Sequence, residues 1–270
     1  MSGLAIEQVL RRDRAVIILS LAVLTILAWA YTVWLANTMP MGGMPMAPAA
    51  RMAMTLAPAF KPWTTTDFVV MFVMWTVMMV GMMTPSAAPM ILIFARVSRQ
   101  AALQGKPLAA TGLFTSGYLL AWTVFSLIAT IGQGLLERAA LLTPMMATAN
   151  DVLAGLVLIA AGVFQWTPAK DACLKHCQSP LSFILQYGFR HDGKGLLALG
   201  FRAGIFCIGC CWALMALLFV GGVMNIVWIA GLTIFVLLEK VVPIGPVISR
   251  LSGAGFMTWG TWLLLSTSIK

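Results

Sequence analysis

Residues 203–222 read AGIFCIGCCWALMALLFVGG and carry no charged side chain. A run of about 20 apolar residues is what a helix needs to cross a hydrocarbon core of about 30 Å. On a helix, Cys207, Cys210 and Cys211 stand at i, i+3 and i+4 and share one face, which Met215 continues. Reading this stretch as a membrane-spanning helix decides the fold, and its sulfur-bearing face raises the question of function.

Composition extends the same reading along the chain. Of 270 residues, 61% are hydrophobic and 9% charged, whereas a soluble domain carries about 25% charged residues. Further apolar segments fall near 15–36, 68–94, 109–135, 150–167, 224–242 and 254–269. The fold class this predicts is all-α, a polytopic transmembrane helical bundle of six or seven spans. Seven is preferred, although the last segment is short. The first apolar run is too long for a signal-peptide core, and no small-residue cleavage site follows it closely, so it reads as an uncleaved span. Three regions result: residues 1–36 as tail and first helix, 37–66 as a Met/Pro-rich loop, and 67–270 as a helical domain with a cytoplasmic loop at 168–202.

Lys and Arg in the short loops set the orientation. Arg11, Arg12, Arg14, Arg96, Arg99, Lys106, Lys170, Lys175, Arg190, Lys194, Arg202 and Arg250 fall on one side, against Arg51, Lys61 and Arg138 on the other. The expectation is a multi-pass protein of the plasma (inner) membrane, its N-terminus cytoplasmic and its Met-rich loop extracytoplasmic. The net charge of +9 then reports contact with the lipid bilayer and its anionic headgroups, and no nucleic acid partner is expected.

Thirteen of the 19 methionines lie between residues 39 and 90. Met39, Met41, Met44, Met46, Met52 and Met54 form a cluster in the outside loop, where Pro and Gly oppose a helix. Thioether sulfur is a soft, neutral ligand suited to Cu(I), and it stays a ligand where free thiols form disulfides. These six are candidates for metal capture; the plainer reading is a linker that tolerates Met. A second cluster, in the span MFVMWTVMMVGMMTPSAAPM (71–90), places Met78, Met79, Met82 and Met83 at helical spacing. Core packing is the plainer reading there. Pro85 and Pro89 remove backbone donors, which predicts a kink and frees the carbonyls of Gly81 and Pro85; both prolines are functional candidates as markers of a site beside Met82 and Met83, the plainer reading being a packing kink.

All five cysteines fall on or near the cytoplasmic half, which argues against a disulfide framework. In KDACLKHC (170–177), Cys173 and Cys177 are i, i+4 on a helix with His176 beside them. Zinc needs a second ligand pair, which this segment lacks, whereas Cu(I) is held by two or three soft donors. Counting 1.5 Å per residue, Met82 lies roughly 21 Å, and Cys211 roughly 18 Å, below the outer surface. The stripe Met78, Met79, Met82 and Met83 can therefore meet Cys210 and Cys211, provided the two helices touch.

Other chemistries are poorly served. Both histidines, His176 and His191, lie in the cytoplasmic loop, so no intramembrane bis-His haem is expected. Asp and Glu together number 8, too few for clustered hard-ion sites. No phosphate-binding Gly-rich loop, and hence no nucleotide site, appears, and no Ser/His/Asp set or metalloprotease pattern assigns a catalytic residue. Glu239 and Lys240 are functional candidates because ionisable side chains in an apolar run are costly.

The runs MWTVMMVGMMTPSAAPMILIFAR, KDACLKHC and CCWALMALLFVGGVMNIVWIAGLTIFVLLEK together resemble a family of predicted metal-binding integral membrane proteins, known as domain of unknown function 2182, over roughly residues 65–250. The resemblance implies metal binding and matches Trp75, Met78, Met82, Met83, Pro85, Pro89, Cys173, Cys177, Cys211, Trp212, Met215, Asn225, Glu239 and Lys240. The expected function is binding of a soft metal, Cu(I) fitting best, for copper transport or delivery. The expected ligands are Cys207, Cys210, Cys211, Met215, Met78, Met79, Met82, Met83, Cys173, His176 and Cys177. Two alternatives stand beside it: a membrane subunit of an oxidoreductase or metal-insertion complex using the cysteines for thiol chemistry, and a purely structural anchor. A soluble or membrane protein partner is kept open.

Overall fold

The computed structural model describes residues 3–38, 63–101, 107–143, 146–188 and 192–268. The loop methionines Met39, Met41, Met44, Met46, Met52 and Met54, and His191, lie outside them. The chain order is α1 (Gly3–Thr38), α2 (Thr65–Ala101), α3 (Pro107–Arg138), α4 (Asp151–Phe164), α5 (Pro168–Gln178), α6 (Pro180–Tyr187), α7 (Gly193–Ala216), the single turn α8 (Leu218–Gly221), α9 (Ile226–Val241) and α10 (Gly245–Ser268). Among the described residues there is no strand, as the apolar periodicity predicts.

Four stretches are long and apolar enough to cross a membrane: Arg14–Thr38, Thr65–Ser98, Ala110–Arg138 and Gly193–Gly221. The pair α4–α5, bent by 65°, adds a fifth if it is one broken span. The count from sequence is six or seven. Helix α9 falls short because it has 16 residues, and α10 because Ser, Thr and Gly dilute its apolar face. The segment 168–202 is not an irregular loop: Thr167 caps α5 by accepting from the Lys170 N–H at 3.3 Å, Pro168 takes the first helical position, and Asp192 opens α7 by accepting from the Gly195 N–H at 3.0 Å.

The core gathers between α2, α3 and α7. Met74, Trp75, Met78, Met79, Met82 and Met83 are none of them more than 2% exposed. The outer faces are apolar instead, with Leu27, Ile128, Val227 and Leu251 each more than half exposed. Helix α2 runs through both prolines. The Gly81 carbonyl that Pro85 leaves free accepts from Trp29 Nε1 of α1 at 3.2 Å, so that polar group is satisfied by packing.

Helices α3 and α7 meet almost backbone to backbone. A Cβ on Gly200 would collide with the Phe114 carbonyl, and one on Gly204 with Ala121 Cβ at 2.5 Å. Small residues at i and i+4 let helices approach this closely. A second anchor is ionic. Lys170 of α5 is fully buried and donates to both carboxylate oxygens of Glu239 at 2.9 Å, and it also donates to Gln165 Oε1. Ser249 Oγ donates to Glu239 Oε1 at 2.7 Å, and Gln165 Nε2 does so at 3.1 Å. Every member is paired, as a buried charge requires.

Gly200→Ala is expected to lower the melting temperature sharply or abolish folding, by about 3 kcal/mol or more, since backbone must move. Gly112→Ala, with nothing within 4 Å of its added Cβ, should be neutral or gain up to about 1 kcal/mol. Removing one ion partner with Glu239→Ala should cost about 3–5 kcal/mol, while Lys170→Met/Glu239→Leu together recovers most of it. Thermal unfolding in detergent, followed by tryptophan emission, reads all of them.

Candidate metal centre

The glycine contact places Cys207 one turn beyond Gly204, directly against α3. Tyr118 of α3 has its hydroxyl 3.0 Å from Cys207 Sγ and donates towards the Met83 carbonyl at 3.4 Å. On the other side, Lys240 Nζ of α9 donates to Cys207 Sγ at 2.8 Å and to Ser86 Oγ of α2 at 3.3 Å. Ser86 in turn donates to the Met83 carbonyl at 3.0 Å. The methionine helix and the cysteine helix thus converge on one thiol.

They do so through intermediaries. Helices α2 and α7 do not pack along each other; α3 packs on both, and α9 on α2. Met78, Met79, Met82, Met83 and Met215 lie in the same buried cluster as Cys207, Cys210 and Cys211. The expected meeting of stripe and cysteines is therefore relayed by Tyr118 and Lys240.

Helix α5 packs on α7 and supplies what the sequence reading had looked for in vain. Cys177 Sγ lies 3.9 Å from Cys210 Sγ. A Cβ on Gly209 would stand 2.8 Å from Cys173 Sγ, so the missing side chain makes the slot that Cys173 fills. The second pair absent from KDACLKHC is provided by α7, and C-x-x-x-C on one helix faces C-x-x-C on another. Cys210 and Cys211 both turn their Sγ back to the Cys207 carbonyl, at 3.1 and 2.8 Å. All five thiols are free. The α7 three are buried, and Cys173 and Cys177 are half-buried.

His176 is placed differently. Its ring stacks on Phe206 at 4.3 Å between centroids, and Nδ1–H donates to the Ala172 carbonyl at 2.8 Å. Phe183 and Tyr187 close the aromatic box around it. Among the described residues no three side chains of His, Cys, Asp and Glu form a ready ligand set. A donor pair of two sulfurs is poor for Zn²⁺ and for hard ions, and it suits a monovalent soft ion. Glu239 is committed to Lys170, whereas Lys240 reaches the thiols.

Sequence reasoning missed Tyr118, Ser86, Gln165 and the partners of Lys170. Gly209, inside the quoted stretch, was the one visible signal that another atom presses on that face.

Towards the N-terminal end of α2, Trp75 Nε1 donates to Gln133 Oε1 at 2.7 Å, Gln133 Nε2 donates to Glu137 Oε1 at 2.8 Å, and Trp63 Nε1 donates to Glu137 Oε2 at 2.6 Å. Gln133 Nε2 also lies 3.8 Å from Met71 Sδ. This chain closes the top of the α2–α3 seam above the methionine stripe.

No curated protein and no solved structure matches the chain. A family model does, that of the PpoB2 copper chaperones, over residues 72–263. The match covers α2 from its first turns through most of α10, with every cysteine, and leaves the methionines at 39–54 aside. That stretch is most of the molecule, and the chain belongs to the PpoB2 copper chaperone family.

Proposed function

We propose that the protein is an integral membrane copper chaperone that carries Cu(I) as cargo in the sulfur pocket between α5 and α7. The observation that carries this reading is the approach of Cys177 to Cys210 at 3.9 Å, beside buried Cys207, in a chain of a copper chaperone family. Two thiolates suffice for Cu(I). Buried Met78, Met79, Met82, Met83 and Met215 offer neutral thioethers on the way from the outer face. The six loop methionines capture the ion, and half-buried Cys173 and Cys177 are the rim at which it is handed on.

The apolar outer faces and the four long apolar helices support a multi-pass membrane protein; the reading of seven spans adds α4–α5 as one broken span together with α9 and α10. The Lys/Arg distribution supports a cytoplasmic N-terminus and an extracytoplasmic methionine loop in the plasma (inner) membrane. A delivery protein needs a recipient, so a membrane or soluble partner belongs to this reading.

A second reading keeps the same pair for thiol–disulfide exchange. Cys177 and Cys210 would be oxidised to a disulfide as a partner's disulfide is reduced to two thiols. Their proximity favours it as far as geometry goes.

Anaerobic Cu(I) titration of the detergent-solubilised protein against a competing chelator separates the readings. Wild type should hold Cu(I) tightly, and Cys177→Ser, Cys207→Ser and Cys210→Ser should each weaken it by about tenfold or more. Met→Leu at Met39–Met54 should slow loading and leave the final affinity unchanged. Gly209→Ala removes no donor, yet by displacing Cys173 it should weaken transfer to an acceptor chelator. Cu(I) affinity equal in wild type and Cys210→Ser would leave thiol exchange as the better reading.

A further inference from the structure

Lys240 is 7% exposed. Its nitrogen touches Cys207 Sγ at 2.8 Å and Ser86 Oγ at 3.3 Å. Among the described residues it pairs with no carboxylate, because neighbouring Glu239 is held by Lys170. A buried ammonium is costly unless an anion balances it, and the group in reach that can supply the negative charge is the Cys207 sulfur. The other neighbours add nothing to the sum: Tyr118 and Ser86 are neutral, and Lys170 with Glu239 cancel.

Bound soft metals take cysteine as thiolate. With Cys207 and one of Cys177 and Cys210 as the two thiolates, the third cysteine a neutral thiol and Lys240 beside them, a monovalent ion brings the pocket to zero net charge, whereas a divalent ion leaves an excess positive charge in the core. Without the lysine the sums exchange: two thiolates neutralise a divalent ion and leave a monovalent one in a negative complex. We propose that Lys240 is the residue that selects the charge of the cargo, a fixed internal cation that makes the pocket favour monovalent over divalent soft metals. This rests on the reading of the thiol pocket as the copper site.

The test uses Ag(I), a monovalent ion without redox chemistry, and Cd(II), a divalent soft ion, each titrated into the full-length solubilised protein against competing chelators. Lys240→Met should lower the ratio of Ag(I) to Cd(II) affinity about a hundredfold, mostly through a gain for Cd(II). Lys240→Arg, which keeps the charge, should hold the ratio near wild type. Ser86→Asp keeps the lysine but gives it a carboxylate partner, and it should move the ratio in the same direction as Lys240→Met. It decides the matter where Lys240→Met fails to fold. A merely structural lysine would weaken both ions together and leave the ratio alone, and that result in Lys240→Met and Ser86→Asp overturns the assignment. Wild type that binds no Ag(I) overturns the copper reading beneath it; Cys177-dependent Ag(I) binding with an unmoved ratio overturns this inference alone.

Discussion

At Gly200 the backbones of α3 and α7 stand so close that any side chain would strike the Phe114 carbonyl. Where helices lie in lipid, which offers apolar surface as readily as another helix does, burial alone does not hold them together, and close van der Waals packing must. The geometry follows from that contact. One turn beyond Gly204, Cys207 is pressed against Tyr118, and the same tyrosine reaches the Met83 carbonyl of α2. The glycines thus bring Tyr118 of α3 against the cysteine face of α7, which becomes one wall of the sulfur cluster.

The other wall is α5, and its aim is fixed by charge. Lys170, Cys173, Leu174 and Cys177 stand at i, i+3, i+4 and i+7, a single helical face. Burying Lys170 on Glu239 therefore turns both cysteines inward. The 65° break after α4 lets this happen, since a straight α4–α5 helix would carry Lys170 past its partner. Glu239 and Lys240 are consecutive on α9, so their side chains diverge: one clamps α5, while the other crosses to α7 and α2. Helix α9 thereby ties the ion pair to the thiol pocket.

The helical class, the identity of the apolar segments and the shared face of Cys207, Cys210 and Cys211 were legible because each depends on local periodicity. The helical nature of KDACLKHC was legible only conditionally, and its burial not at all. Lys170 and Lys175 look like loop charges, and nothing local says that Glu239, 69 residues away, will neutralise one of them. Pro85 depends on such a pairing as well. The freed Gly81 carbonyl suggested a site, but Trp29, 52 residues earlier, consumes it. Tyr118 carried no signal, being one aromatic among many in an apolar run. What the sequence hid is the set of pairings between helices, which arise from tertiary contact.

Burial grades across the sulfur set in a way that bears on transfer. Cys207, Cys210 and Cys211 are buried, whereas Cys173 and Cys177 are half-buried on a short helix. A chaperone has to hold its ion against water and yet release it to a partner's donor. A fully buried thiol set would hold well and exchange slowly; a fully exposed one would exchange quickly and oxidise. On the proposed function, splitting the donors between the long helix α7 and the short helix α5 meets both demands. On the same proposal an incoming soft ligand reaches half-buried Cys173 and Cys177 first, while Cys207 stays beside Lys240. On the proposed function the ion moves by successive ligand exchange, each step replacing one sulfur by another.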